Sequence, residues 1–343
     1  MEVIKIPKTL VIPRGGYKPL LNLMNTEIAV NELKKHFEAR LSENLNLIKV
    51  SPPLLVSEGN GINDNLSGSE RVVSFDALDI KDHQIEIVQS LAKWKRVALG
   101  RYGFTIGEGL YTNMNAVRRD EVLDNLHSMY VDQWDWEKII SKDQRNLKTL
   151  KAEVRNIYQA MKSTEKHMYE FHPALKPVLP EDIYFITAQE LEDLYPHLTP
   201  KEREDSVSKE YGAVFLMQIG GALRSGTKHD SRSPDYDDWS FNGDILFWSP
   251  LLERSIEISS MGIRVDENTL LKQLKLENNE ERILLKFHKS LLNGELPYTL
   301  GGGIGQSRLC MFLLKKAHIG EVQASVWNVE ILRYCQENNI NLL

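Results

Sequence analysis

Residues 301–314 read GGGIGQSRLCMFLL. Glycines at 301, 303 and 305 recur every second residue, an apolar run follows, and Arg308 stands three residues beyond the last of them. The spacing predicts a flexible glycine approach that opens near Gly305 into an apolar helix. Glycine lets a backbone pass close to a flat ligand such as a nucleobase, so Gly303 and Gly305 are candidate nucleotide contacts. An arginine in the first turn of the helix can face a phosphate, helped by the helix dipole. On spacing alone, a tight loop with a solvated arginine is the alternative. Two other nucleotide-binding patterns are excluded. Position 306 is Gln, so the run is not GxGxxG, and GxxxxGK[ST] occurs nowhere.

Upstream of the glycines, IEISSMGIR (256–264) reads as a strand, and alternation puts Glu257 and Ser259 on one face. Asp244 begins the strand before it. Two carboxylates on neighbouring strands are candidate Mg²⁺ ligands, because that ion takes oxygen donors and bridges to phosphates; solvated strand-edge carboxylates are the alternative. KHDSRSPDYDDWSFNGD (228–244) mixes five aspartates with Lys228, His229 and Arg232. Such a loop can recognise a zwitterion, carboxylates taking an ammonium group and arginine a carboxylate, or it is simply a solvated face. In HSMYVDQWDWE (127–137), Gln133 and Asp135 share one strand face while Asp132, Trp134 and Trp136 share the other. SLAKWKR (90–96) supplies three cations, for an anion or for water.

These segments sit in a chain of long neighbouring strands, not regular βαβ alternation. Periodicity predicts helices over 26–46 and 143–171, the second with Leu150, Val154, Ile157, Met161 and Met168 on one face. Further helices are expected over 91–99, 268–275 and 280–292. Strands are expected over 54–56, 71–78, 84–88, 128–136, 213–219, 244–248 and 254–260. Thr187–Glu190 and Thr199–Glu202 match the capping-box spacing, the second with Pro200 at the first helical position. The fold class is therefore α+β with a mostly antiparallel sheet. With no repeat or linker, residues 25–343 read as one catalytic domain behind an extended arm over 1–24.

Composition narrows the function. A chain of 343 residues with 42% hydrophobic and 26% charged residues is an ordinary globular protein. The net charge of −6 disfavours a nucleic-acid partner. No apolar stretch approaches the ~20 residues of a membrane span, and no secretory leader is read at the N-terminus. Two cysteines, Cys310 and Cys335, build neither a disulfide framework nor a zinc site. A cytoplasmic, ATP-using enzyme with a small zwitterionic second substrate is expected.

Several unbroken runs, in order along nearly the whole chain, carry a family resemblance: NDNLSG (63–68), SLAKWKR (90–96), GEGLYTNMNAVR (107–118), YVDQWDWE (130–137), GAVFLMQIGG (212–221), PDYDDW (234–239), NGDI (242–245), SSMGIRVD (259–266) and LGGGIGQSR (300–308). The sequence resembles the ammonia-dependent asparagine synthetases, or aspartate–ammonia ligases. These look like stand-alone relatives of class II aminoacyl-tRNA synthetase catalytic domains and are homodimers. The resemblance implies that L-aspartate, ATP and ammonia give asparagine, AMP and pyrophosphate through a β-aspartyl-adenylate. It implies that Arg118 and Arg308 hold ATP phosphates, that Asp244 and Glu257 hold Mg²⁺, and that Lys95 helps offset the repulsion between two anions. Asp135 and Asp237 become candidates for the substrate ammonium. Ser90, Gln133, Arg232 and Ser260 are candidates for the rest of the amino acid, and Asp64 for positioning or deprotonating ammonium. Glutamine-using synthetases need an N-terminal cysteine nucleophile. Glu2 stands at the second position here, so free ammonia is the expected nitrogen donor.

Overall fold

A computed structural model describes residues 10, 11, 13, 16–63, 66 and 70–343. In chain order it runs α1 (Leu23–Leu45), β1 (Leu47–Lys49), β2 (Leu55–Ser57), β3 (Ser74–Ala77), β4 (Ile80–Ile87), α2 (Ala92–Tyr102), β5 (Gly109–Val117), β6 (Tyr130–Ile139) and α3 (Leu147–Phe171). Then come β7 (Tyr184–Thr187), α4 (Ala188–Leu194), α5 (Pro200–Tyr211), β8 (Ala213–Met217), β9 (Asp237–Ser249), β10 (Arg254–Arg264), α6 (Glu267–Leu276), α7 (Lys286–Leu292), β11 (Thr299–Gly305), α8 (Gln306–Leu313) and α9 (Val329–Glu337). Among the described residues the strands form an eight-stranded sheet, ordered β1-β5-β6-β11-β10-β9-β8-β7, and a small sheet ordered β2-β4-β3. The inner six strands of the large sheet are antiparallel, and only its edges, β1 against β5 and β7 against β8, are parallel. The α+β reading with a mostly antiparallel sheet holds.

The two faces of this sheet are covered differently. One is continuously apolar. Phe37 of α1 packs on Trp134 of β6 with ring centroids 4.5 Å apart, and Tyr158 of α3 and Phe312 of α8 both pack on Phe247 of β9. Alternation in β6, β8 and β9 sends Trp134, Trp136, Phe215, Ile245 and Phe247 to this side. The other face is apolar only at its ends. There α2 packs Ala98 and Leu99 on Leu110, while α4 and α5 pack Leu191 and Val207 on Val214 and Leu216. Between those ends the surface is polar and concave.

Local signals explain the helix boundaries. Both predicted capping boxes are formed, at Thr187 and at Thr199 with Pro200 behind it. Helix α1 starts at Leu23, where Asn22 caps it, slightly before the predicted 26. Of the predicted arm, Leu10, Tyr17 and Leu21 are buried in the main core. The 280–292 helix is broken into a 3₁₀ turn at Glu280–Leu284 and α7. Among the described residues no helix is long and apolar enough to cross a membrane.

The largest correction concerns the glycines. They are not a flexible approach. Thr299–Gly305 is β11, a regular strand in the middle of the large sheet, paired on both sides. Glycine is a poor strand residue, but here its neighbours occupy the missing side-chain volume. A Cβ on Gly303 would overlap the Gln133 amide, and one on Gly302 would press on Met261. Strands β9 and β10 are also longer than predicted, at 13 and 11 residues.

Candidate active site

The polar middle of the sheet floors a cavity of about 350 Å³. Its floor follows from register. Thr112, Asp135, Gly303, Ser260, Asp244 and Leu216 are successive cross-strand partners over β5, β6, β11, β10, β9 and β8. Four of the predicted site residues therefore stand in one row across the sheet. A β-bulge between Glu257 and Ser259 shifts the register of β10. This overturns the expected pairing of Glu257 with Ser259 on one face: Glu257 and Ser260 line the cavity, and Ser259 does not.

Of the predicted residues, Ser90, Lys95, Arg118, Gln133, Asp135, Arg232, Asp237, Glu257, Ser260, Gly303, Gly305 and Arg308 all line this cavity. Asp244 does not. It lies behind Arg232, whose guanidinium caps its carboxylate and also donates to Asp230 at 2.9 Å. Asp64 lies outside the described residues, though Leu66 of the same loop lines the cavity. The structure adds Arg264, His127, Tyr236 and Ser307 to the lining.

Toward the Thr299 end of the glycine strand, which Glu137 of β6 and Arg264 of β10 bridge, the charges are closely matched. Arg264, at the end of β10, forks onto Glu137, with Nη2 2.7 Å from Oε2 and Nε 3.0 Å from Oε1, and its Nη1 reaches Asp237. Thr299 donates to Glu137 at 2.7 Å. Lys95 rises from α2 to donate to Asp135 and, at 3.0 Å each, to the carbonyls of Trp136 and Gly302. Burial lowers its pKa, against the pull of Asp135 and Glu137. Burial, with Glu137 adding to it, raises the Asp237 carboxyl in spite of Arg264. Asp237 is thus a place where one more cation is favourable.

Toward its Gly305 end the matching is incomplete. Arg308, in the first turn of α8, donates to the Glu257 carbonyl at 3.0 Å and lies 3.7 Å from its carboxylate. The protein around Glu257 desolvates it, but Arg308, Arg232, His127 and Arg118 hold its carboxyl below the ordinary value. The Asp244 carboxyl is pushed up to about 8: burial dominates, and Glu257, Asp230 and Glu204 oppose the help from Arg232. Three buried atoms here have no hydrogen-bond partner among the described residues, namely Asp244 Oδ1, Arg232 Nε and Arg118 Nε. Buried polar atoms are rarely left so, at ~1–3 kcal/mol each.

The residues fit Mg²⁺. Asp244 offers an oxygen with no partner among the described residues, and Glu257 supplies a second carboxylate. Among the described residues no group of three or more His, Cys, Asp or Glu gathers as a ready-made metal cluster. That suits an ion usually held by one or two carboxylates together with substrate phosphates.

A glycine-centred antiparallel sheet with arginines over a polar cleft defines a class II aminoacyl-tRNA synthetase-like catalytic fold. The likeness to solved structures bears this out. An asparaginyl-tRNA synthetase from Pyrococcus horikoshii, solved with asparaginyl-adenylate, superposes with a TM-score of 0.64 at 15% identity, covering 88% of this chain and 70% of that one. The asparaginyl-tRNA synthetase of Entamoeba histolytica, also with asparaginyl-adenylate, gives 0.60 at 13% identity, over 88% of this chain and 66% of that one. The aspartate–ammonia ligase family profile matches residues 24–339. An aspartate–ammonia ligase of Clostridium perfringens is 62% identical over 343 residues, all of both chains, and one of Clostridium tetani is 59% identical over 340 residues, 99% of each. The chain belongs to the aspartate–ammonia ligase family of enzymes.

Proposed function

We propose that the enzyme makes L-asparagine from L-aspartate, ammonia and ATP by way of a β-aspartyl-adenylate. A β-carboxylate oxygen of aspartate attacks the α-phosphorus of ATP, and the bond to pyrophosphate breaks. The nitrogen of ammonia then attacks the β-acyl carbon, loses a proton, and AMP leaves. The row Asp135–Gly303–Ser260–Asp244 supports this reading most. On this reading Asp135 serves an ammonium group, Gly303 leaves a bare surface for a nucleotide, and Asp244 serves a metal ion, side by side across the sheet.

Two anions must meet in the first step, and the cavity supplies opposing charge. Arg118, with its unpartnered Nε, is assigned to the α-phosphate, and Arg308 to the outer phosphates. Asp237 and Asp135 take the substrate α-ammonium. Ser90, Gln133, Arg232 and Ser260 hold the rest of the amino acid. Lys95 acts mainly by fixing Asp135, since its donors are already engaged. Asp244 and Glu257 would hold Mg²⁺, which supplies charge neutralisation of the phosphates. Gly303 and Gly305 let the nucleotide approach. Exposed Met24 and Ile28 on α1 and Ile48 on the edge strand β1 are compatible with a homodimer; light scattering on the purified protein tests that.

The deciding experiment supplies aspartate labelled with ¹⁸O in its β-carboxylate, with MgATP and ammonium. The expected outcome is asparagine and AMP in equal amounts, with one label carried into AMP. Formation of ADP, or label in inorganic phosphate, would sink the adenylate route.

A further inference from the structure

The segment 230–237 delivers Arg232 and Asp237 to the cavity. Between them it buries another carboxylate that is not part of the lining. Asp235 is fully buried, and its Oδ2 meets donors from three separate elements. Lys93 Nζ approaches to 3.0 Å from the first turn of α2, Arg282 Nη1 to 3.1 Å from the 3₁₀ turn Glu280–Leu284, and His288 Nε2 to 2.9 Å from α7. Its Oδ1 accepts from Ser233 Oγ at 2.8 Å. Lys93 and His288 are themselves buried.

Folding alone gives little reason for this cluster. Gathering a carboxylate and two permanent cations out of water is costly, and apolar packing of the same volume often stabilises as well. The backbone of the segment is also held independently: Gln273 of α6 donates to the carbonyls of Pro234 and Asp237 at 3.0 and 2.9 Å. What Asp235 adds is a link between two halves of one subsite. Lys93 sits two residues before Lys95, which fixes Asp135, and three after Ser90. Asp235 sits three residues after Arg232 and two before Asp237.

We propose that Asp235, Lys93 and His288 form a positioning cluster for aspartate. It locks 230–237 to α2, so that Arg232 and Asp237 face Ser90 and Asp135 at a fixed separation across the amino acid. The inference rests on the assignment of these four residues to aspartate. A misplacement of about 1 Å in substrate-positioning groups can cost on the order of 10²-fold in turnover.

The test uses Lys93→Gln, which removes the charge from the link to α2 but leaves the carboxylate paired with Arg282, His288 and Ser233. It adds His288→Leu, and His288→Gln, which retains an N–H donor. Asp235→Asn is avoided as a first variant because it removes the charge opposite buried Lys93 and partly buried Arg282. The expected result is a rise of roughly tenfold or more in KM for aspartate in Lys93→Gln and His288→Leu. KM for ATP should stay within about twofold, and His288→Gln should restore most of the loss. Melting curves would establish that each variant is folded. Equal shifts in both KM values, or no shift, would overturn the proposal. Asp237→Asn separates the two levels. If it leaves KM for aspartate unchanged, the assignment of the subsite itself fails and the inference with it. If it raises that KM while Lys93→Gln does not, only the positioning role falls.

Discussion

Two charge clusters flank the glycine strand, and they are built on opposite plans. In the Glu137–Arg264 cluster every nitrogen of the guanidinium and both oxygens of Glu137 have partners. In the Arg232–Asp244 cluster, a guanidinium nitrogen and a carboxylate oxygen are buried with none among the described residues, and Arg118 Nε nearby is the same. Both clusters read alike in the sequence, as acids and arginines in neighbouring segments. What separates them is satisfaction. A closed network holds the sheet in shape, and an open one is shaped for something that is added later.

That contrast can be broken by experiment. Glu137→Gln should cost the most stability, about 3–5 kcal/mol, because it leaves Arg264 buried and underpaired. A urea midpoint close to wild type would show that the closed cluster is not structural. Arg118→Ala should do the reverse, lowering kcat by about 10²–10³ with little effect on the same midpoint, and Arg308→Ala should behave alike. A nearly unchanged rate would remove either residue from the transition state.

A subtler distinction comes from pH. The folded protein holds the Asp244 proton up to about 8, whereas the unfolded chain releases it near 3.8. The folded state therefore binds more protons between those values, so this contribution is fully present below the lower pH and is lost as pH rises through the upper one. Relative to Asp244→Asn, the wild-type melting temperature should fall as pH increases across that window, and MgATP should reduce the fall. Parallel curves for the two proteins would refute the open-cluster picture. The smallest effect is a control outside both clusters. Thr199→Ala removes the α5 capping box and should cost about 1 kcal/mol with unchanged kinetics.

Much of the fold was legible. The apolar stripe of α3 and the two capping boxes each rest on local rules, and those rules were obeyed. Most of the residues named in the quoted motifs do meet in one cavity, Asp244 excepted. Four things were not legible. A glycine run carries no strand signal of its own; β11 is a strand because β6 and β10, distant in sequence, pair with it on both sides. The bulge after Glu257 changes which serine joins it, and alternation cannot foresee an extra residue. Asp244 is set behind Arg232 by the course of the 228–236 segment, which spacing does not reveal. Arg264 went unassigned because one arginine at a strand end has no local mark of its two buried partners.

The position of β11 has a consequence for how the enzyme is made. Residues 299–305 must slide between β6, at 130–139, and β10, at 254–264. A nascent chain that has emerged only as far as β10 holds two unpaired strand edges with a gap between them. Long-range pairing of this kind is slow, and such edges invite association with other chains. The floor of the cleft therefore closes late in synthesis, and the step that completes the sheet is the one that brings its glycines into place.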